Sequence, residues 1–127
     1  MKKVILSLLL ITLLAPIFAI DKLTYSVKAS GENDFKKCKL WLTEIATSPK
    51  SKIEFEDTDL NLIKFTEYTP YGFYTIEVKV GKENIKVTLK DNYFIIGTDA
   101  EPLEFGDKMD SVTKPKIKKL EEILEDY

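Results

Sequence analysis

Alternating apolar and polar residues predict five β-strands in this chain. A period of two places successive side chains on opposite faces of a strand, so each such stretch has one face suited to a core. The pattern occurs in KLTYSVK at 22–28, around Ile53 and Phe55, at Ile63, Phe65 and Tyr68, across 73–80 and across 85–89. The apolar run 93–97 either extends the last strand past a bulge at 91–92 or forms a short separate strand.

Apolar residues three and four positions apart predict two helices. The first covers 32–47, and its stripe consists of Phe35, Cys38, Leu42, Ile45 and Ala46, with Trp41 at the edge. The turn 48–51 terminates it, because Pro49 cannot continue the hydrogen-bond ladder. The second covers 111–127, with Ile117, Leu120, Leu124 and Tyr127 at helical spacing and Pro115 near its start.

The order of these elements predicts the fold class. Residues 98–110 have no period and contain Pro102 and Gly106, so we expect an acidic surface loop there. The resulting order is β-α-β-β-β-β-α. It indicates an α+β domain in which helices cover the apolar face of an antiparallel sheet.

The N-terminus has the layout of a secretory signal peptide. Lys2 and Lys3 precede a continuous apolar run, and Ala19 stands just before the polar switch at Asp21. We expect cleavage after Ala19, which leaves one domain, 20–127, with its core in 23–97. The apolar run is shorter than the roughly 20 residues that span a bilayer. We therefore expect an exported protein, periplasmic or secreted, with no stable membrane insertion after cleavage.

The composition excludes several kinds of site. The basic residues are all lysines, and the chain has no histidine and no arginine. Imidazole-based catalysis and His-ligated zinc are therefore excluded, and the bidentate clamp that arginine forms on phosphate or guanine is missing. The formal net charge of −2 becomes more negative when 1–19, with two lysines and no acid, are removed. We expect no nucleic-acid partner and no cofactor.

Three further features have structural interpretations. Cys38, the single cysteine, lies within the apolar stripe of the first helix, which predicts a core residue rather than a reactive thiol. The stretch 57–61 resembles the first half of a calcium loop, but Leu62 and Tyr68 stand where glycine and glutamate are required. We expect a plain hairpin turn and no metal site. Glu54 and Glu56 share a strand face opposite Ile53 and Phe55, which predicts a solvated face rather than paired catalytic acids.

Several short sequence motifs along the chain resemble those of a known family. Trp41-Leu42 late in the first helix, Ser-x-Lys-Ser at 48–51, an acidic strand, an Asp-containing turn and an aromatic-apolar strand ending at Gly97 resemble the exported bacterial domain of unknown function 4468. The resemblance covers roughly 23–97. It implies a TBP-like fold, a curved antiparallel sheet with helices on one face, and it implies no activity. Fold analogy alone does not transfer function.

The segment 68–74 has four aromatic residues around a Pro-Gly turn and is the candidate binding surface. Since Tyr68 and Tyr74 fit strand positions, Tyr71 and Phe73 are the predicted site residues. We expect a non-enzymatic domain that binds a protein, peptide or envelope component through a sheet face, a sheet edge or this aromatic loop. The alternatives are a carrier of a small apolar ligand, with a cavity lined by Tyr74, Ile76 and Val87, and an envelope enzyme based on carboxylates.

Overall fold

The protein folds as one curved antiparallel sheet with two helices, which confirms the predicted α+β class. The computed structural model describes residues 22–97, 99–102 and 105–126. The predicted signal peptide, 1–19, and the last predicted helix position, Tyr127, lie outside these residues. Within the described part of the chain, no helix is long and apolar enough to cross a membrane.

The described residues form six strands and two helices. In chain order these are β1 (Leu23–Lys28), α1 (Asp34–Ile45), β2 (Lys52–Asp57), β3 (Leu62–Tyr68), β4 (Gly72–Val80), β5 (Asn84–Ile96), β6 (Asp99–Pro102) and α2 (Asp107–Asp126). The strand order in the sheet is β1-β5-β4-β3-β2, and β6 also pairs with β5. All of these pairings are antiparallel.

The long strand β5 resolves the question left open at 93–97. It runs for 13 residues, so the apolar run extends the strand rather than forming a separate one. Asp91, with a φ of 52°, interrupts the regular backbone where the bulge was expected. One edge of β5 pairs with β4, and the other edge pairs first with β1 and then with β6.

One face of the sheet and the two helices enclose the core. The buried apolar side chains come from every layer: Val27, Ile63, Phe65, Ile76, Val78, Ile85, Val87 and Leu89 from the sheet, and Cys38, Trp41, Leu42, Ile117, Leu120 and Leu124 from the helices. Trp41 Nε1 donates a hydrogen bond to the carbonyl oxygen of Lys116 at 2.7 Å, which joins α1 to α2. Tyr25 joins β1 to α2 through its hydroxyl, which donates to Asp110 Oδ1.

Cys38 is a core residue, as its place in the helical stripe predicted. Its side chain is completely buried. Burial, with a smaller contribution from the charge of Asp34, raises the pKa of the Cys38 thiol to about 12. A thiol with so high a pKa is not poised for nucleophilic chemistry.

The predicted acidic loop at 98–110 is wrong in two places. Residues Asp99–Pro102 form β6, which pairs with the end of β5 across a turn at Gly97. The second helix begins at Asp107, and not at 111, because the amides of Met109 and Asp110 already bond to the carbonyl of Gly106. The stretch has no alternation because β6 is short and all four of its residues are exposed, so it needs no apolar face.

The predicted facing of β2 is also wrong. The pairing of β2 with β3 shifts register between Ile53 and Phe55, as at a β-bulge. Phe55 consequently lies opposite Lys64 on the face away from the helices, and Glu56 lies on the helix side, where its carboxylate is 2.8 Å from Lys39 Nζ. Glu54 and Glu56 therefore do not form the shared acidic face that simple alternation predicts.

Candidate functional site: an aromatic cleft beside the Pro-Gly turn

The two predicted site residues lie on different surfaces. Tyr71 is 72% exposed at the tip of the turn between β3 and β4 and borders a cleft on the helix side of the sheet. Phe73 lies on the open face, meaning the sheet face opposite α1 and α2. The structure therefore separates the aromatic loop into two candidate surfaces.

Hydrogen bonds within the turn fix the position of Tyr71. The amide of Thr69 donates to the carbonyl of Gly72 at 2.8 Å, and the amide of Gly72 donates to Thr69 Oγ1 at 3.0 Å. The carbonyl of Tyr71 in turn accepts from the amide of Ile95 at 2.8 Å. The turn is thus tied to the far end of β5, so the aromatic ring is presented from an ordered backbone.

Gly72 is required because β4 and β5 approach closely at this point. A Cβ atom on Gly72 would lie 1.9 Å from the carbonyl oxygen of Tyr93 and 2.9 Å from its carbonyl carbon. No side chain can be accommodated at that distance, and backbone atoms cannot move aside as a flexible side chain can.

The aromatic cleft is a depression of about 470 Å³ between the ends of β4 and β5 and the first turns of α2. The large apolar side chains on the helix side of its lining are those of Tyr71, Tyr74, Phe94, Phe105, Met109 and Val112, and Gly72 and Tyr93 also border it. Three of these large side chains are exposed to solvent: Tyr71, Phe94 at 37% and Val112 at 47%. Thr69, Asn92 and Lys108 add polar groups at the border.

Tyr74 and Phe105 form the buried inner wall of the cleft. Their rings meet edge to face, with centroids 6.2 Å apart, and each side chain is at most 4% exposed. Burial raises the pKa of the Tyr74 hydroxyl, and the nearby charge of Glu67 raises it further. The Tyr74 hydroxyl is therefore a neutral hydrogen-bond donor and acceptor at physiological pH.

Glu67 lies opposite Tyr74 in the pairing of β3 with β4 and is fully buried. Its Oε1 accepts hydrogen bonds from the amide and hydroxyl of Thr47, both at 3.2 Å, and from the hydroxyl of Ser51. Among the described atoms, Glu67 Oε2 is buried and has no hydrogen-bond partner. The turn that contains Ser-Pro-Lys-Ser therefore holds a buried carboxylate, in addition to reversing the chain.

Sequence reasoning missed Glu67. The alternation through Ile63 and Phe65 puts position 67 on the core face, whereas Tyr68 was predicted to follow Phe65 there. A buried glutamate is unusual. Tyr68 instead lies on the open face. The hydroxyl residues near the end of α1 were the available signal, since a buried carboxylate needs donors of this kind.

On the open face, Phe73 is the middle of a row of three aromatic rings. Its centroid lies 5.7 Å from that of Tyr68 and 5.1 Å from that of Tyr93, and the second pair is stacked. The three residues occupy paired positions of β3, β4 and β5, so the row crosses the strands. All three side chains are half-buried, so one side of the row remains in contact with solvent.

The turn at 57–61 has a structural role, and the predicted carrier cavity is not formed as expected. Asp57 Oδ1 accepts from the amides of Asp59 at 2.8 Å and Leu60 at 3.1 Å, which confirms a plain hairpin turn at 57–61. Among the described residues, no three acidic or cysteine side chains are arranged to hold a metal ion. Ile76 and Val87 are at most 2% exposed and are packed beneath the helices. Of the three residues predicted to line a carrier cavity, only Tyr74 lines the cleft.

Comparisons with known proteins identify the fold. No family model matches the chain, and no curated protein matches it. Among solved structures, the chain matches the crystal structure of a DUF4468 family protein from Bacteroides ovatus ATCC 8483 with a TM-score of 0.51 and 12% sequence identity. The match covers 80% of this chain and 78% of that one, and at this identity it concerns the fold alone. The chain is thus similar in fold to DUF4468, the family that its sequence resembles.

Proposed function

We propose that this protein is an exported, non-enzymatic binding domain whose aromatic cleft holds an apolar side chain of a protein or peptide partner in the cell envelope. The observation that carries the proposal is the exposure of Tyr71, Phe94 and Val112 around one concavity. Large apolar groups gathered around a cleft mark interaction sites more often than scattered apolar residues do.

The composition of the cleft favours binding over catalysis. Its lining is mostly aromatic and aliphatic, and apart from tyrosines its polar side chains are those of Thr69, Asn92 and Lys108. Glu67, the buried carboxylate, is bound by Thr47 and Ser51 and is not among the described lining residues. Rigid aromatic side chains supply large contact area at a low cost in conformational entropy, as at the anchor sites of protein interfaces.

The cleft also supports a second candidate, a carrier of a small apolar ligand. A volume of about 470 Å³ falls within the range of small-molecule sites. In this function Tyr74 and Phe105 would contact the ligand, because their side chains form the buried wall of a mostly apolar cleft.

Photo-crosslinking distinguishes these functions. A benzoylphenylalanine replaces Tyr71 in one variant of the mature protein and Leu60, which is 57% exposed in the distant β2–β3 turn, in the control. The proposal predicts one discrete protein adduct in envelope extract from the Tyr71 variant and none from the control. An adduct of small mass would favour the carrier, and identical adducts from both positions would contradict a site at the cleft.

A further inference from the structure

The open face of the sheet carries an excess of positive charge, although the chain as a whole is acidic. Strand pairing and the lining of a shallow hollow place seven lysines on this face: Lys22, Lys28, Lys52, Lys64, Lys79, Lys86 and Lys90. Two acids, Glu77 and Asp57, occupy open-face positions by the same described pairings. Asp57 is engaged by the amides of its own turn. The lysines are thus concentrated on one surface of a protein whose formal net charge is −2.

The arrangement of these lysines leaves positive charge uncompensated. Lys79 and Lys86 lie directly opposite each other on β4 and β5, and both are exposed. Like charges directly opposite each other in a sheet are destabilising, so Lys79 and Lys86 repel each other. Glu77 forms an ion pair with Lys90. The bond from Lys90, with the charges of Lys64 and Lys86, lowers the pKa of Glu77, which indicates the positive potential of this face.

The charged region has a concave centre and an aromatic border. A hollow of about 290 Å³ is lined by Glu77, Thr88 and four of the lysines, Lys22, Lys79, Lys86 and Lys90. Thr75 and Lys90 pair across β4 and β5, and the next open-face pair along these strands is Phe73 with Tyr93. A ligand lying along the strands would therefore meet cations first and then the half-buried aromatic rings.

We propose that the open face binds an acidic polysaccharide, with its carboxylate groups on the lysines and its sugar rings against the row formed by Tyr68, Phe73 and Tyr93. Charge complementarity selects an anionic polymer, since several separate cations act on it at once. The aromatic row suits the apolar faces of sugar rings, which pack on aromatic surfaces. This surface lies on the opposite side of the sheet from the aromatic cleft, so the inference does not depend on the proposed function.

The same surface is less suited to nucleic acid. The chain contains no arginine, and its lysines are point charges without the planar fork that recognises phosphate in a bidentate manner. Its acidic net charge repels a long polyanion beyond the contact surface, whereas a polymer with one charge per sugar has a lower charge density. Duplex DNA is accordingly the competing ligand in the test.

Affinity electrophoresis in gels containing alginate, a polymer of uronic acids, tests the inference. The test variant is Lys79→Gln with Lys86→Gln, and the matched control is Lys36→Gln with Lys118→Gln, which removes the same charge from exposed positions on the helices. Alginate should retard the unmodified protein and the control at low salt, and neutral dextran should retard neither. The Lys79/Lys86 variant should bind about tenfold more weakly, and Phe73→Leu should weaken binding without changing its salt dependence.

Three results would overturn the inference. One is the absence of retardation of the unmodified protein by alginate. Another is an equal loss in both double variants, since it would show that net charge, rather than the open face, determines binding. The third is tighter binding to duplex DNA than to alginate, which would assign the surface to nucleic acid. A thermal melt of each variant verifies that the fold is retained, and the removal of the opposed lysines is not expected to lower stability.

Discussion

Glu67 and Tyr74 lie opposite each other on β3 and β4 with both side chains buried, so a carboxylate and a phenol share the inner layer of the sheet. Glu67 is held through Oε1 by Thr47 and Ser51 at the end of α1, and Tyr74 forms the inner wall of the aromatic cleft. The turn after α1 and the base of the cleft are therefore adjacent parts of one polar and aromatic cluster.

Substitution of Glu67 should destabilise the protein according to how many of these hydrogen bonds are lost. Glu67→Ala leaves the donors of Thr47 and Ser51 without an acceptor and opens a cavity, so we expect a loss of about 2–4 kcal/mol in the free energy of unfolding. Glu67→Gln retains the acceptor and the volume, and its loss should be smaller. Urea denaturation measures both. Equal losses for the two variants would contradict the role assigned to Oε1.

Gly72→Ala should disrupt the turn that presents Tyr71. The added methyl group would lie 1.9 Å from the carbonyl oxygen of Tyr93, so β4 and β5 must separate locally, at a cost of about 3 kcal/mol or more. Gly106→Ala is the matched control, because no atom lies within 4 Å of its Cβ position. Thermal unfolding should show a large decrease for the first variant and little change for the second. Equal melting temperatures would contradict the close approach.

The buried phenol of Tyr74 and the half-buried phenol of Tyr25 should make the protein sensitive to alkaline conditions. Burial raises the pKa of Tyr25 and of Tyr74 in the folded state. A raised pKa contributes stability that is fully present below the unfolded value of about 10 and is lost as the pH rises above it. Tyr74→Phe should therefore lose less stability than the unmodified protein when the pH rises from about 9 to 11. Parallel curves of unfolding free energy against pH would contradict this account.

The sequence predicted those elements whose side chains follow a regular period. The alternation in β1, β4 and the first half of β5 was sufficient because one face of each strand meets the core and the other meets solvent. The stripe of α1, with Cys38 at its centre, was predicted for the same reason. In each case burial alone determined the pattern.

Where something other than the burial of apolar side chains determined the structure, the prediction was wrong or incomplete. A bulge in β2 reverses the facing of Phe55 and Glu56, and no period can reveal an inserted residue. Glu67 is buried because donors distant in sequence satisfy it. Short β6 forms because β5 extends beyond β1 and leaves an edge to be paired. Tyr71 and Phe73 were predicted as one surface, whereas strand pairing and the cleft lining place them on different sides of the sheet.

Nuclear magnetic resonance mapping of an apolar probe tests the aromatic cleft most directly. Indole, a neutral apolar probe, is titrated into ¹⁵N-labelled protein comprising residues 20–127 and into its Val112→Glu variant, which places a charge at the border of the cleft, with Leu60→Glu as the control at another exposed apolar position. We predict saturable amide shifts confined to residues around Tyr71, Phe94 and Phe105, abolished by the Val112 substitution and retained in the control. Shifts that are absent, or that map to the open face instead, would contradict the assignment of the cleft as the binding site.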